Sequence, residues 1–170
     1  MTAPALLERL FAAGPHPDLG EHAATYGRLI GSWRGEYRDP HPEGDEVGPL
    51  EVHFGWALEG RAVQDMWLVP DDAATATRKR IMYGTSLRVF DAAAKLWRVD
   101  WFNTRRGAHV HLAGRRIGDD IVQTGYWDDR PQRWCFRDVG ADAFTWEAHG
   151  LDDDGVSWRL QTRFRLARVR

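Results

Sequence analysis

In Gly31-Ser32-Trp33-Arg34-Gly35-Glu36-Tyr37, apolar or small residues alternate with polar ones, and this segment is the main evidence for the fold. Trp33, Gly35 and Tyr37 share one parity, and the polar side chains between them hold the other. A period of two predicts a β-strand with one buried and one solvated face. The same pattern continues to the end of the chain, with a turn signal about every 8–12 residues. The sequence therefore predicts a meander of antiparallel strands.

The alternation predicts about ten strands from residue 31 onward. After the first, they cover residues 50–56, 61–69, 80–90, 97–103, 108–115, 121–127, 134–138, 144–146 and 158–167, with a polar loop at 70–79. Their apolar faces have no second sheet or layer of helices to bury them, so we expect the sheet to close. The predicted fold class is all-β, an antiparallel up-and-down β-barrel of about 8–10 strands.

Two short helices are predicted before the first strand, over residues 4–13 and 19–30. Asp18 can cap the second helix. We divide the chain accordingly into an N-terminal helical segment, residues 1–30, and a barrel domain, residues 31–170. The helices could close one end of the barrel or carry the contact of a homodimer.

Length, charge and cysteine content exclude several classes of function. The 170 residues are 43% hydrophobic, which is enough for one core. No apolar run approaches the roughly 18 residues of a membrane span. A net charge of −2 gives no general attraction to nucleic acid. Cys135 is the single cysteine and the start of the chain lacks a secretory signal pattern, so a cytoplasmic protein without disulfides is predicted.

The stretch from Leu29 to Tyr37 resembles the first-strand motif of the lipocalin-like, or calycin, β-barrels. In that group a Gly-X-Trp opens the first strand, and its Trp packs across the closed end. Residues 83–91 and 97–101 resemble a bacterial calycin-like family to which no function has been assigned. The resemblance covers about residues 29–170 and implies a lipocalin-like barrel.

The resemblance also implies contacts of Trp33. Calycins stack a basic residue of the last strand on this Trp, which here is Arg163, Arg165 or Arg168. The stretch from Trp33 to Gly35 is similar as well to the haem-binding nitrobindins, which need an inward axial His on a late strand. The late His here is His149, whose parity is opposite to that of Trp146. No cofactor is therefore predicted, and haem binding is the weaker alternative.

The chain holds nine Trp residues, more than a core of this size needs. Most share the parity assigned to the barrel interior, together with polar groups that need partners from each other, water or a ligand. This predicts a cavity for a small, largely apolar molecule, and the alternative is an interior filled by its own side chains. The predicted ligand-binding residues are Tyr37, Phe54, Trp56, Trp97, Trp101, Asn103, Gln123, Trp127, Trp134, Trp146 and Trp158.

Three residues are candidates for acid/base chemistry, so a cofactor-independent isomerase, cyclase or decarboxylase is the alternative function. Asp138 shares the inward parity, where burial would raise its pKa, unless it caps the turn that follows. His109 and His111 lie on one face of a strand, an arrangement that metal sites use. Val110 and Leu112 favour a solvent-facing position for both His, and no further ligand has matching spacing, so no metal is predicted.

Overall fold

The computed structural model describes residues 5–70 and 82–170. The predicted loop at 70–79 therefore lies, from residue 71 onward, outside the described residues. The chain begins with helix α1 (Ala5–Leu10), strand β1 (Phe11–Ala12), a 3-10 helix (Pro17–His22) and helix α2 (Ala23–Gly27). The barrel strands are β2 (Gly31–Asp39), β3 (Glu46–Ala57), β4 (Ala62–Leu68), β5 (Tyr83–Asp91), β6 (Leu96–Asn103), β7 (Ala108–Ile117), β8 (Asp120–Trp127), β9 (Arg130–Arg137), β10 (Ala143–Leu151) and β11 (Trp158–Arg168).

Strands β2 to β11 form a closed ring in which every neighbouring pair is antiparallel. Each strand pairs with the next along the chain, and β2 pairs with β11 to complete the circle. This arrangement confirms the predicted all-β, up-and-down, lipocalin-like barrel. Strand β1 adds to the free end of β3, with Phe11 opposite Ala57. Strand β1 belongs to the N-terminal segment but pairs with a barrel strand, so the two parts are joined in one sheet. The division of the chain at residue 30 therefore stays a prediction.

The N-terminal segment is less regular than predicted. The first helix ends at Leu10, because the next two residues pair with β3. The second predicted helix is split at Gly20, whose φ of 50° and ψ of −133° are not helical. Its N-cap is His16, whose Nδ1 accepts from the backbone N–H of Asp18 at 3.2 Å. The prediction that Asp18 is the cap is wrong, since its carboxylate instead accepts from Arg61 at 2.7 Å.

The N-terminal segment closes one end of the barrel, which we call the closed end. Tyr26, Leu29 and Trp33 are fully buried there. The Nε1 of Trp33 donates to the carbonyl oxygen of Leu29 at 2.7 Å. The Arg168 guanidinium lies 4.0 Å from the centre of the Trp33 ring and donates to the Ile30 carbonyl oxygen at 2.7 Å. Of the three basic candidates for this contact, the structure selects Arg168.

The opposite end of the ring, which we call the open end, lies where β2, β4, β6, β8 and β10 finish. Its connections among the described residues are the β2–β3, β6–β7, β8–β9 and β10–β11 loops. No helix in the described part of the chain is long and apolar enough to cross a membrane.

Candidate ligand-binding cavity

A cavity of about 560 Å³ occupies the half of the barrel interior next to the open end. This volume is within the range of about 300–1,000 Å³ that is usual for small-molecule sites. Six aromatic side chains contribute to its wall: Trp67, Trp101, Trp127, Trp134, Trp146 and Phe164. A largely apolar molecule would therefore meet ring surfaces from six different strands.

The aromatic wall is built from rings that hold each other in place. Trp146 lies at the centre of these contacts, with ring centres 5.4 Å from Trp67, 5.5 Å from Trp134 and 4.7 Å from Phe164. Trp101 meets Trp134 edge to face at 6.4 Å. These are the offset and edge-to-face arrangements that aromatic side chains prefer. A wall that is already ordered lowers the entropy cost of binding a rigid ligand.

A polar layer separates the cavity from the packed interior of the closed end. Arg88 and Asp65 form a buried ion pair, with Nη1 2.5 Å from Oδ2. Arg88 also donates through Nε to Gln123 and through Nη2 to Ser86, both at 3.3 Å. The second carboxylate oxygen of Asp65 accepts from the backbone N–H of Ser86 at 2.6 Å. The charges of this layer compensate each other, so the floor of the cavity is polar but has no net charge.

The Arg88 guanidinium is enclosed by rings on the side of the closed end. It lies 4.9 Å from the ring centre of Tyr26 and 5.7 and 5.8 Å from those of Phe54 and Phe136. Burial raises the pKa of Tyr26 far above its ordinary value, against the smaller opposite effect of Arg88. The Tyr26 hydroxyl therefore stays protonated and donates to Oε1 of Gln123 at 2.9 Å.

Two buried polar atoms in the cavity wall have no hydrogen-bond partner among the described residues. They are Nε1 of Trp134 and Oε1 of Gln132. Both residues lie on β9 and are only 6% and 4% exposed. An unpaired buried donor or acceptor costs about 1–3 kcal/mol, and each of these two atoms has less than 1 Å² of accessible surface.

The rim of the cavity is charged and, apart from the half-buried Asp39, exposed. It carries Asp39, His41, Arg106, Asp128 and Arg130. Both signs are present, so the entrance has no strong preference for anions or cations. Gln161 also lies at the rim, opposite the side formed by the β6–β7 loop.

The structure brings about half of the predicted ligand-binding residues together at the cavity. Those that line it are Trp101, Asn103, Gln123, Trp127, Trp134 and Trp146. Tyr37, Phe54, Trp56 and Trp97 are buried inside the barrel but do not line the cavity. Trp97 packs against Tyr26 at the closed end, with ring centres 5.2 Å apart. Direct ligand contact stays a prediction for the first group, and the second group lies away from the cavity wall.

Trp158 is the one predicted residue that the structure moves to the outer face. The register of β10 and β11 shifts between Ala148 and His149, so Leu160 rather than Gln161 lies opposite His149. This bulge reverses the parity of the start of β11. Trp158 stacks beneath the Arg133 guanidinium at 4.4 Å, outside the barrel. The inward assignment of Trp158 is therefore corrected.

The three acid/base candidates also lie outside the cavity. Asp138 follows the end of β9 in a turn with φ of 51°, where its side chain is exposed, so the burial that a proton-transfer role requires is missing. His109 and His111 are exposed and share Oδ1 of Asp100, at 2.9 and 3.1 Å. Partial burial raises the pKa of Asp100, but these hydrogen bonds outweigh it and hold the pKa below its ordinary value.

Metal and haem sites were the remaining alternatives. Within residues 5–70 and 82–170, no group of three or more His, Cys, Asp or Glu side chains is arranged to hold a metal ion. His149 lies on the outer face, with Nε2 3.8 Å from Glu147. The histidine that does line the cavity is His41, which is exposed at the rim. Neither histidine is the buried, inward-facing imidazole that the axial position of a haem requires.

Sequence reasoning missed Trp67, Asp65 and Arg88. A signal was present for the first two, since Asp65 and Trp67 share the parity of buried Val63 on β4. For Arg88 the alternation of apolar and polar residues favoured the outer face. Its neighbours Leu87 and Val89 are apolar but lie on the outer face, where Val89 is 41% exposed.

Comparison with solved structures identifies a similar barrel. The S-type phycobiliprotein lyase of Guillardia theta superimposes with a TM-score of 0.58 over 88% of this chain and 93% of that chain, at 10% sequence identity. No protein-family profile matches the chain, and no curated protein sequence matches it significantly. At this identity the likeness concerns the fold alone. It supports the lipocalin-like barrel fold that the first-strand motif predicted.

Proposed function

We propose that this protein binds a small, largely apolar molecule in the cavity at the open end. The observation that carries the proposal is the cavity of about 560 Å³ with six aromatic side chains in its wall. Apolar surface gains about 25 cal/mol per Å² when it leaves water, and flat rings in such a cavity leave water on both faces. Trp side chains add stacking contacts that favour conjugated molecules over flexible chains.

Binding is favoured over catalysis by the position of the acid/base candidates. The similar solved structure is a lyase, so this type of barrel serves an enzyme in that protein. In this chain Asp138, His109 and His111 are exposed outside the cavity. The ionisable groups of the described inner wall are Arg88 and its partner Asp65, which neutralise each other at 2.5 Å. We therefore place a cofactor-independent reaction second to ligand binding.

The test uses Nile red, an uncharged dye whose emission rises in apolar surroundings. Ala148 is buried and lines the cavity, so Ala148→Phe fills part of the space that the dye needs. Ala167 lies on the exposed outer face of β11, so Ala167→Phe is the matched control. We expect wild type and Ala167→Phe to bind the dye alike, and Ala148→Phe to bind at least about tenfold more weakly.

Thermal unfolding monitored by circular dichroism establishes that both variants are folded. Absence of dye binding to the wild type would contradict the proposal. Equal affinity of Ala148→Phe and wild type would place the dye outside the cavity, and would contradict it as well.

A further inference from the structure

The polar floor of the cavity has unused hydrogen-bond donors, while its acceptors are engaged. Asp65 has no exposed side-chain surface, and its two carboxylate oxygens accept from the backbone N–H of Ser86 and from Nη1 of Arg88. The Oε1 of Gln123 accepts from the Tyr26 hydroxyl at 2.9 Å and from Nε of Arg88 at 3.3 Å. An amide oxygen has two lone pairs, so both are in use. An N–H or O–H group of a ligand would therefore compete with partners that are already in place.

Three side chains of the floor hold donors without an acceptor among the described residues, and we call Ser86, Arg88 and Gln123 the floor donors. Each Nη atom of a guanidinium carries two N–H groups. In Arg88 each Nη atom makes one hydrogen bond, to Asp65 or to Ser86, so one N–H on each remains. The Ser86 hydroxyl oxygen accepts from Arg88, which leaves its own O–H able to donate. The Nε2 amide of Gln123 is unpaired as well, because Oε1 makes both hydrogen bonds of that side chain.

The floor donors face the cavity, which all three residues line. Three aromatic rings cover Arg88 from the closed end, with centres 4.9 to 5.8 Å from its guanidinium carbon. The 2% of the Arg88 side chain that stays exposed is therefore turned toward the cavity. The Nε2 of Gln123 is unpaired but is not one of the fully buried unpaired atoms of the interior, so it keeps accessible surface. A molecule in the cavity can consequently reach donors at its inner end.

The charge of the floor selects among the acceptors that a ligand can offer. Arg88 already has Asp65 as its partner, so a ligand carboxylate would bring a second negative charge to one guanidinium and lose its own hydration. A hydrocarbon would leave the floor donors unpaired, which is unfavourable for buried polar groups. An uncharged acceptor such as a carbonyl oxygen pairs these donors without adding charge.

On the basis of the proposed function, we infer that the ligand is a flat, conjugated, uncharged molecule that binds with a ketone or quinone oxygen at the floor. The oxygen accepts from the floor donors, and its two lone pairs allow two of these hydrogen bonds at once. The rings of the ligand lie among the tryptophans of the wall, where their faces leave water. The carbonyl group therefore decides which end of the ligand points toward the closed end of the barrel.

Three compounds with a naphthalene ring test the inference by displacement of Nile red. 2-Acetylnaphthalene carries the ketone, 2-isopropylnaphthalene has the same branched shape with a methyl group in place of the oxygen, and 2-naphthoate carries a charge. Because the compounds differ in their affinity for water, the measured quantity is the change in each dissociation constant between wild type and variant. The hydration of the free compound cancels in that comparison. In the wild type, 2-naphthoate should bind about tenfold more weakly than the ketone.

Two variants locate the preference at the floor. The double variant Asp65→Leu/Arg88→Met replaces the buried pair by apolar side chains of similar volume, an exchange that buried ion pairs often tolerate. It should weaken binding of the ketone about tenfold and leave that of the hydrocarbon within about twofold, since the hydrocarbon uses no donor. Ser86→Ala removes one floor donor and should weaken the ketone alone, by about threefold.

Ser32→Ala is the matched control for Ser86→Ala. The Ser32 hydroxyl lies on the outer face of β2, with Oγ 2.9 Å from Nδ1 of His53. This variant should bind the ketone and the hydrocarbon with wild-type affinities. Circular dichroism melts establish that each variant is folded before it is titrated, and if the double variant is unfolded, Ser86→Ala alone decides.

The outcomes separate the inference from the proposed function. If Nile red binds but the folded variants change the affinities for ketone and hydrocarbon by the same factor, the floor does not recognise the carbonyl, and the inference fails while the proposed function stands. Tighter binding of 2-naphthoate than of the ketone to the wild type would show that the floor takes an anion, and would overturn the inference as well. If Nile red and all three compounds fail to bind, the proposed function itself is contradicted.

Discussion

The two ends of the barrel have similar walls and different interiors. At the closed end, Tyr26 lies 5.2 Å from Trp97 and 6.1 Å from Phe136 between ring centres, and Tyr26 and Phe136 are fully buried. At the open end, Trp134 lies 5.5 Å from Trp146 in equally close contact, yet the rings surround a cavity of about 560 Å³. Ring contacts therefore do not decide whether a barrel is filled.

The two ends differ in whether a segment of the chain covers them and inserts side chains into the interior. The N-terminal segment inserts Tyr26 and Leu29 among the rings of the closed end, and both are fully buried. Among the described residues, no comparable segment enters the open end. The Arg88–Asp65 layer lies between the two, so polar groups mark the level at which the filled interior stops. A cavity in this fold depends on how far a covering segment reaches into it.

The strongest test of this comparison uses two tryptophans of one strand. Trp97 and Trp101 both point inward from β6 and are 2% and 7% exposed, but only Trp101 lines the cavity. Trp97→Ala should cost about 3–5 kcal/mol of unfolding free energy, because it opens a new void in a packed interior. Trp101→Ala should cost about 1–2 kcal/mol, because it enlarges a void that exists already. Urea unfolding measures both, and equal losses would show that the open end is filled in solution.

The polar layer should be the next most sensitive feature. Asp65→Asn leaves the buried Arg88 guanidinium without its counter-charge, for an expected loss of about 3 kcal/mol. Asp142→Asn is the control, since Asp142 pairs with Arg170 at 3.0 Å on the exposed surface. Surface pairs of this kind contribute little, so that variant should unfold like the wild type. A similarly small effect of both changes would mean that water reaches Arg88.

Glu147, on the outer side of the cavity wall, should stabilise the folded state in a pH-dependent way. Glu147 accepts from Arg163 at 2.7 Å and from Arg137 at 3.0 Å. Burial raises the pKa of Glu147, but these two arginines outweigh it and hold the pKa below the ordinary 4.5. Because the folded-state pKa is lowered, the stabilisation is fully present above about pH 4.5 and is lost as the pH falls through the folded-state value.

Glu147→Gln should therefore lose about 1–2 kcal/mol at neutral pH and show a flatter decline of stability in acid. Urea midpoints between pH 7 and pH 3 measure the effect. Glu36→Gln, on the exposed outer face of β2, serves as the control and should follow the wild-type profile. Parallel profiles of Glu147→Gln and wild type would contradict the assignment.

The smallest effect tests the bulge in β11. Trp158 and Trp127 are both half-buried, but Trp127 lines the cavity and Trp158 stacks with Arg133 outside. Trp158→Phe should leave the affinity for Nile red within about twofold and cost about 0.5–1 kcal/mol of stability. Trp127→Phe should weaken dye binding more than Trp158→Phe does. A larger loss of dye binding in Trp158→Phe than in Trp127→Phe would indicate that Trp158 faces the interior.

The sequence predicts the ring of strands well because period-two alternation reports which face is buried. On β6 and β8 the alternation places Trp101 and Gln123 inward, where the structure has them. The first-strand motif predicts the stacking partner of Trp33 to within three arginines, of which the structure selects Arg168. Local pattern is enough for these features because each depends on one strand and its immediate neighbours.

The alternation does not report how far along the barrel axis an inward side chain lies. Trp97 and Trp101 have the same parity and type, but one packs under Tyr26 and the other faces a void. Parity also fails at β11, where one additional residue in the pairing with β10 reverses the faces. The buried charge of Arg88 is hidden because its partner Asp65 lies on another strand. These features depend on how neighbouring strands are aligned. The alternation within one strand does not report that alignment.

The pairing of β3 with β4 has a consequence for how the molecule opens. It gives every one of the ten barrel strands two hydrogen-bonded neighbours, so none of them ends in an unpaired edge. No strand can fray from the side or recruit a foreign strand unless a complete ladder of the ring first separates. Amide hydrogens around the ring should consequently exchange with solvent at similar, slow rates, while those of the two-residue β1 exchange early.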